Sequence, residues 1–141
     1  MPAKDTVKKM VDAFNRHEAN AFAALFAPDA VAYDPQYPQP LKGREAIRKD
    51  IEDFFQAFPD IQFKISNIIV SGDTVAFEGS AIGTHKGPLA GPTGTVPATN
   101  RGVEIRFAAF DRVNAQDLVV EERRYFDLAG MMQQLGLMPG S

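Results

Sequence analysis

The sequence predicts an α+β domain in which helices gather on one face of a curved, mostly antiparallel sheet. Over the first sixty residues apolar side chains recur with a helical period; from Ile61 onward the period drops to two. No repeat or low-complexity linker divides the 141 residues, a length that buries one core and is too short for two full-sized domains, so a single domain spanning 1–141 is expected.

The first helix carries Val7, Met10, Val11 and Phe14 at i, i+3, i+4 and i+7, with Lys8, Lys9, Asp12 and Asn15 on its other faces. A short second helix is expected after Asn20, a suitable N-cap, bringing Phe22, Leu25 and Phe26 inward before Pro28-Asp29 stops it. Ala30 to Asp34 reads as a strand, and Pro35, Pro38 and Pro40 make 35–42 a loop of fixed φ angles. From Gly43 a longer helix puts Ile47, Ile51, Phe54, Phe55 and Phe58 on one face and ends at Pro59.

Ile61, Phe63 and Ile65 then alternate with polar residues, and a bulge or bend shifts the phase before Ile68-Ile69-Val70. After the Ser71-Gly72-Asp73 turn, Val75, Phe77, Gly79, Ala81, Gly83 and His85 share one face of the next strand. That face has little side-chain volume around Gly79, so either the sheet curls sharply there or a cavity lies beneath it; both suit a cone with a pocket. A Gly/Pro loop over 86–98, read as a rim or lid, precedes a strand with Val103, Ile105, Phe107 and Ala109 on one side. The last strand, Leu118 to Asp127, leads into a terminal helix stopped by Gly136.

Composition narrows the function. With no cysteine, thiol catalysis, disulfides and thiolate metal sites are excluded. A net charge of −3 argues against a general grip on nucleic acid, and no apolar run approaches a membrane span. The N-terminal stretch has no secretory apolar core, so a cytoplasmic location is expected. Only two histidines are present, without metal-ligand spacing, so no metal and no cofactor are expected.

Several stretches, in order along the chain, resemble the nuclear-transport-factor-2-like superfamily, and most closely its SnoaL-like polyketide cyclase and ester cyclase branch. They are Leu25 to Pro35, Gly43-Arg-Glu-Ala-Ile47, Phe58-Pro-Asp60, Gly83 to Leu89, Tyr125-Phe-Asp-Leu128 and Gln134-Leu-Gly136. The resemblance implies a cone-shaped α+β barrel, helices over an apolar pocket, a homodimer built through the outer sheet surface, and a small hydrophobic ligand of polyketide or steroid type.

Two residues are the expected catalytic groups. Asp127 matches the position of the acid/base aspartate of SnoaL-like cyclases, and burial in an apolar wall would raise its pKa toward a useful base; the alternative is that it caps the terminal helix. His85 could exchange protons with it or with substrate, or serve as a backbone-bonded strand-end residue. Val119, Glu121, Arg123, Tyr125 and Asp127 share one face of the last strand, so Glu121 and Arg123 are expected to form a buried pair or line the polar end of the pocket, or else to form an ion network at an interface, and Tyr125 is a donor to a developing oxyanion or a core residue with a satisfied hydroxyl.

Asp34 ends a segment that resembles the part of ketosteroid isomerases carrying the proton-shuttling base; otherwise it makes an Asx turn before Pro35. The oxyanion donors of that machinery are replaced by Met10 and Ala109 in ungapped comparison. Tyr33 is an oxyanion-donor candidate, and Phe14, Phe54, Phe58 and Phe77 are expected ligand contacts. The function these readings converge on is a cofactor-free acid/base enzyme acting on a hydrophobic carbonyl compound by intramolecular aldol condensation. The alternatives are a non-catalytic binding protein of the same fold and a ketosteroid-isomerase-like isomerase.

Overall fold

The computed structural model describes residues 2–91 and 94–138. The N-terminal half holds helix α1 (Pro2–Asn15), the short α2 (Ala19–Ala23), strand β1 (Phe26–Tyr33), the two-residue β2 (Leu41–Lys42) and helix α3 (Arg44–Ala57). Strands follow: β3 (Gln62–Ser71), β4 (Thr74–Thr84), the small hairpin of β5 (Leu89–Gly91) and β6 (Gly94–Val96), β7 (Gly102–Val113) and β8 (Val119–Phe126). Helix α4 (Leu128–Gln134) closes the described chain, and Gly136 with φ +75° stops it as expected.

Six strands form one curved mixed sheet in the order β2-β1-β8-β7-β4-β3, antiparallel at every seam except β1 against β8. The α+β class and the helix-covered sheet are therefore as expected. The apolar stripe of α1 is buried through Val7, Met10, Ala13 and Phe14. Its C-terminal end docks on β3, where Asn15 Oδ1 accepts from Phe63 N–H at 2.7 Å and Phe14 stacks on the Phe63 ring with centroids 3.6 Å apart. The start of α3 is tied to β1 by Arg44, which donates from Nε and Nη2 to the Phe26 carbonyl at 2.9 and 2.7 Å.

The expected bulge in β3 falls between Ile65 and Asn67, opposite Gly79. A Cβ on Gly79 would lie 2.0 Å from the Lys64 carbonyl, so only glycine lets β4 pass this close to the bulged strand. The bend and the cavity inferred from that small-residue face both occur: Phe77 and Ala81, on either side of Gly79, line a cavity under the sheet.

Local differences have local causes. Helix α2 begins at Ala19 after Glu18, with no side-chain cap, rather than after Asn20. Strand β1 starts at Phe26 and passes through Pro28, tolerated because its register with β8 shifts between Phe26 and Val31. The 35–42 loop ends in β2, and the 86–98 loop contains the β5–β6 hairpin, whose residues 92 and 93 lie outside the described residues. No helix among the described residues is long and apolar enough to cross a membrane.

Candidate functional site

Helices α1 and α3 roof the concave side of the sheet, and between them and the strands lies a cavity of about 100 Å³. Phe14 and Met10 come from α1, Phe54 and Ile51 from α3, Phe63 from β3, Phe77 and Ala81 from β4, Ile105, Phe107 and Ala109 from β7, and Phe126 from β8. One end is polar: Asp34 and Gln36 follow β1, Asp50 projects from α3, and Glu122 and Arg124 project from β8.

Arg124 organises that end. Its Nη1 donates to Asp50 Oδ2 at 2.7 Å and Asp34 Oδ2 at 3.0 Å, and its Nε donates to Glu122 Oε1 at 2.6 Å. Tyr37 Oη donates to the other Asp50 oxygen at 2.6 Å, and the Gln36 N–H donates to Asp34 Oδ1 at 2.8 Å. The last bond is the Asx turn open to Asp34 from sequence, so this residue both makes the turn and faces the cavity. Burial pushes the Tyr37 hydroxyl up, reinforced by Asp50, so Tyr37 stays a donor at any ordinary pH. Three carboxylate side chains surround one guanidinium, which holds its proton well above the usual range despite burial. Arg124 Nη2 is buried and has no hydrogen-bond partner among the described residues.

The local sequence explains the placement. Ala32 and Ala109 are the cross-strand neighbours of Glu122 and Arg124, and their small side chains leave room for two long ones on the concave face. Asp50 sits at i+3 from Ile47 and i−1 from Ile51, within the buried stripe of α3.

Of the residues singled out from sequence, Asp34, Phe14, Phe54 and Phe77 line the cavity. Phe58 is fully buried beside Phe54 and His85 but does not reach the cavity wall. The expectation for β8 needs correction. Its alternation is as read, but Glu121, Arg123, Tyr125 and Asp127 occupy the outer face, and Val120, Glu122, Arg124 and Phe126 the inner one. Tyr125 is half exposed, and Glu121 and Arg123 form a partly solvated pair 3.6 Å apart. Asp127 is exposed and caps α4, its Oδ1 accepting from Gly130 N–H at 2.8 Å. Tyr33 is likewise on the outer side of β1, opposite Arg123.

His85 is fully buried but outside the cavity lining, and does not meet Asp127. Its Nδ1 accepts from Thr99 N–H at 3.2 Å and lies 3.0 Å from Thr99 Oγ1, which leaves the ring proton on Nε2, without a protein partner. Burial lowers its pKa, against a smaller opposing pull from the Gly87 backbone.

Glu122, Arg124, Asp50, Gln36 and Tyr37 were not among the residues singled out. Hydropathy does not separate the two β8 faces, since Val119 shares the parity of Glu121 and Val120 that of Glu122; and the spacing of α3 puts Asp50 with Arg44, Lys49 and Asp53 off its apolar face, which the structure corrects, because Asp50 is buried beside Ile51 and reaches the cavity, where Tyr37 and Arg124 satisfy it. Gln36 and Tyr37 lie in the proline loop and had no readable signal.

With this geometry in place, the chain matches the model of the SnoaL-like polyketide cyclase family over residues 4–135, and it belongs to that family. Solved structures agree. IdmH from Streptomyces antibioticus, a candidate polyketide cyclase, is 30% identical, with 95% of this chain and 98% of that one aligned at a TM-score of 0.74. AclR from Streptomyces galilaeus, a candidate hydroxylase, is 25% identical over 97% of each chain at 0.81. A candidate SnoaL-like cyclase from Jannaschia sp. CCS1 is 20% identical over 98% of this chain and 94% of that one at 0.84. No curated protein matches the chain.

Proposed function

We propose that the protein takes a carbon-bound proton from a hydrophobic, polyketide-like carbonyl compound, with Asp34 as base and Arg124 as the donor to the developing oxyanion. The observation that carries this is Arg124 itself: a buried guanidinium at the polar end of an apolar cavity, with Nη2 uncommitted and Asp34 bonded to the neighbouring Nη1.

Asp34 accepts the proton from a carbon flanked by two carbonyl groups, and the electron pair moves onto oxygen facing Arg124. The enolate carbon attacks a third, more distant carbonyl of the same molecule, forming the C–C bond as the C=O π pair moves onto oxygen, and the resulting alkoxide takes the proton back from Asp34. Oxidation state does not change, so no electron carrier enters. Delocalisation lowers the barrier in the substrate, and placing Asp34 against the acidic carbon, with the tethered carbonyl held in contact, contributes on the order of several kcal/mol through orientation. Asp34 is favoured over Asp50 because Asp50 is held by two short bonds, from Tyr37 and Arg124, and Asp34 by longer ones. The ketosteroid isomerase arrangement is disfavoured, since Met10 and Ala109 both line the cavity where its two donors would stand.

Exchange in D2O tests the reading without the natural substrate. Aryl alkyl ketones and aryl β-keto esters incubated with the protein should gain deuterium at the acidic carbon above background, and Asp34→Asn should remove the gain. Compounds that stabilise the protein but exchange no faster than in buffer would favour the binding-protein reading, which the commitment of both Asp34 oxygens to existing bonds supports. The homodimer rests on the outer face, where Tyr33, Phe110 and Tyr125 are exposed and the Phe110 and Tyr125 rings lie 6.0 Å apart; sedimentation velocity tests it.

A further inference from the structure

One buried carboxyl group plays no part in the chemistry above. Asp111 lies on the inner face of β7, at the position after Ala109 in the inward alternation, and is wholly inaccessible to solvent. Among the described residues, neither of its oxygens has a hydrogen-bond donor within reach. Its cross-strand neighbour on β4 is Val75, which offers no polar atom, and on β8 it is Glu122. Helix α1 packs against β7 with Val7, Met10 and Phe14 buried, and keeps Lys8, Lys9 and Asp12 exposed. The charged groups acting on Asp111 are thus Glu122 and, two residues further along β8 on the same face, Arg124.

An ionised carboxylate without donors in such a place carries a desolvation cost far beyond a typical protein's net stability, and it takes up a proton instead. Once protonated, Asp111 needs an acceptor, and Glu122 is the acceptor opposite it; Glu122 Oε1 is already held by Arg124 Nε. We infer that Asp111 is a neutral carboxylic acid that donates its proton to Glu122, and that it acts as a positioning residue, fixing Glu122 and through it the plane of the Arg124 guanidinium. Burial first, and then the Glu122 charge, push the Asp111 pKa in the direction this requires. Glu122 is then gripped from one side by a neutral donor and from the other by Arg124 Nε, which restrains rotation of the guanidinium and with it the position of Nη2. The proton on Asp111 does not depend on the chemistry proposed for the site; its use in orienting Arg124 rests on that reading.

Infrared spectroscopy of the intact protein at neutral pH tests the first part. A carboxylic-acid carbonyl band is expected, separate from the carboxylate bands, shifted when aspartate is labelled with ¹³C at its carboxyl carbon, and absent in Asp111→Asn. No acid band, a band insensitive to the aspartate label, or one that persists in Asp111→Asn would overturn the assignment; Asp111→Leu must lose the same band, and gives the residue assignment if the asparagine variant does not fold. The second part is read from ketone exchange. Asp111→Asn, whose amide can still donate to Glu122, should keep the rate within a few-fold, whereas Asp111→Leu should lose about 10- to 100-fold, in kcat more than in KM. Equal rates for the leucine and asparagine variants would remove the positioning role. If the wild type exchanges nothing, the function proposed for the site fails while the infrared result stands.

Discussion

Glu121–Arg123 and Glu122–Arg124 are the same chemical pair, one residue apart on one strand, with opposite fates. The outer pair sits 3.6 Å apart with side chains 31% and 45% exposed, and Arg123 lies 5.3 Å from the Phe110 ring centroid. The inner pair closes to 2.6 Å with side chains 4% and 13% exposed, and its arginine gathers two further carboxylates. Solvent screens the first and holds its worth to at most about 1 kcal/mol. The second is stripped of water, so each member depends on the others for its solvation. Residue type therefore says little about β8; parity decides which charges become a site and which remain surface.

Breaking the inner side should have the largest effect. Arg124→Ala leaves Asp34, Asp50 and Glu122 buried without their shared cation, and should cost roughly 3–5 kcal/mol in denaturant unfolding along with all detectable ketone exchange. Asp34→Asn keeps the shape and removes the base, so exchange should fall about 10²- to 10⁴-fold with stability little changed. On the outer side, Asp127→Ala should cost about 1 kcal/mol through the lost α4 cap and leave the exchange rate where it was. A drop in rate to the Asp34→Asn level would return the acid/base role to Asp127. The double variant Glu121→Gln, Arg123→Gln should shift stability by less than about 1 kcal/mol.

The smallest expected effect is a slope rather than a loss. His85 is buried and its folded-state pKa is depressed, so the unfolded chain takes up this proton more readily. Its contribution is full above the ordinary histidine range and is lost as pH falls through the folded value. Urea midpoints measured across that range should decline toward acid, and His85→Gln should flatten the decline.

Much of this contrast was legible beforehand. The periods of α1, α3 and β4, the bulge opposite Gly79 and the alternation of β8 all follow from spacing and side-chain volume. What misled was chemistry without context: an aspartate at a strand end beside Tyr125 looks like a catalytic acid, and by sequence an N-cap looks the same. Hydropathy does not separate the two β8 faces, since Val119 shares the parity of Glu121 and Val120 that of Glu122. The spacing of α3 puts Asp50 among its polar faces, and no spacing says which partner relieves a buried acid such as Asp50 or Asp111. That depends on pairings such as Ala32 with Glu122 and Ala109 with Arg124, which join distant parts of the chain. The proline loop's Gln36 and Tyr37 carried no period at all, so no pattern could place them.

The bonds from Arg124 to Asp34 and Asp50 span 90 and 74 positions of the chain, and they are made beside the only parallel seam of the main sheet. Contacts of that separation carry a large loop-closure cost and favour slow folding. On a ribosome α1 to α3 and β1 emerge long before β8, so Asp34 and Asp50 wait, hydrated, for a cation that arrives 90 and 74 positions later. Closure of the site and closure of the β1–β8 seam are then one event, and appearance of the buried guanidinium cluster marks a sheet that has closed.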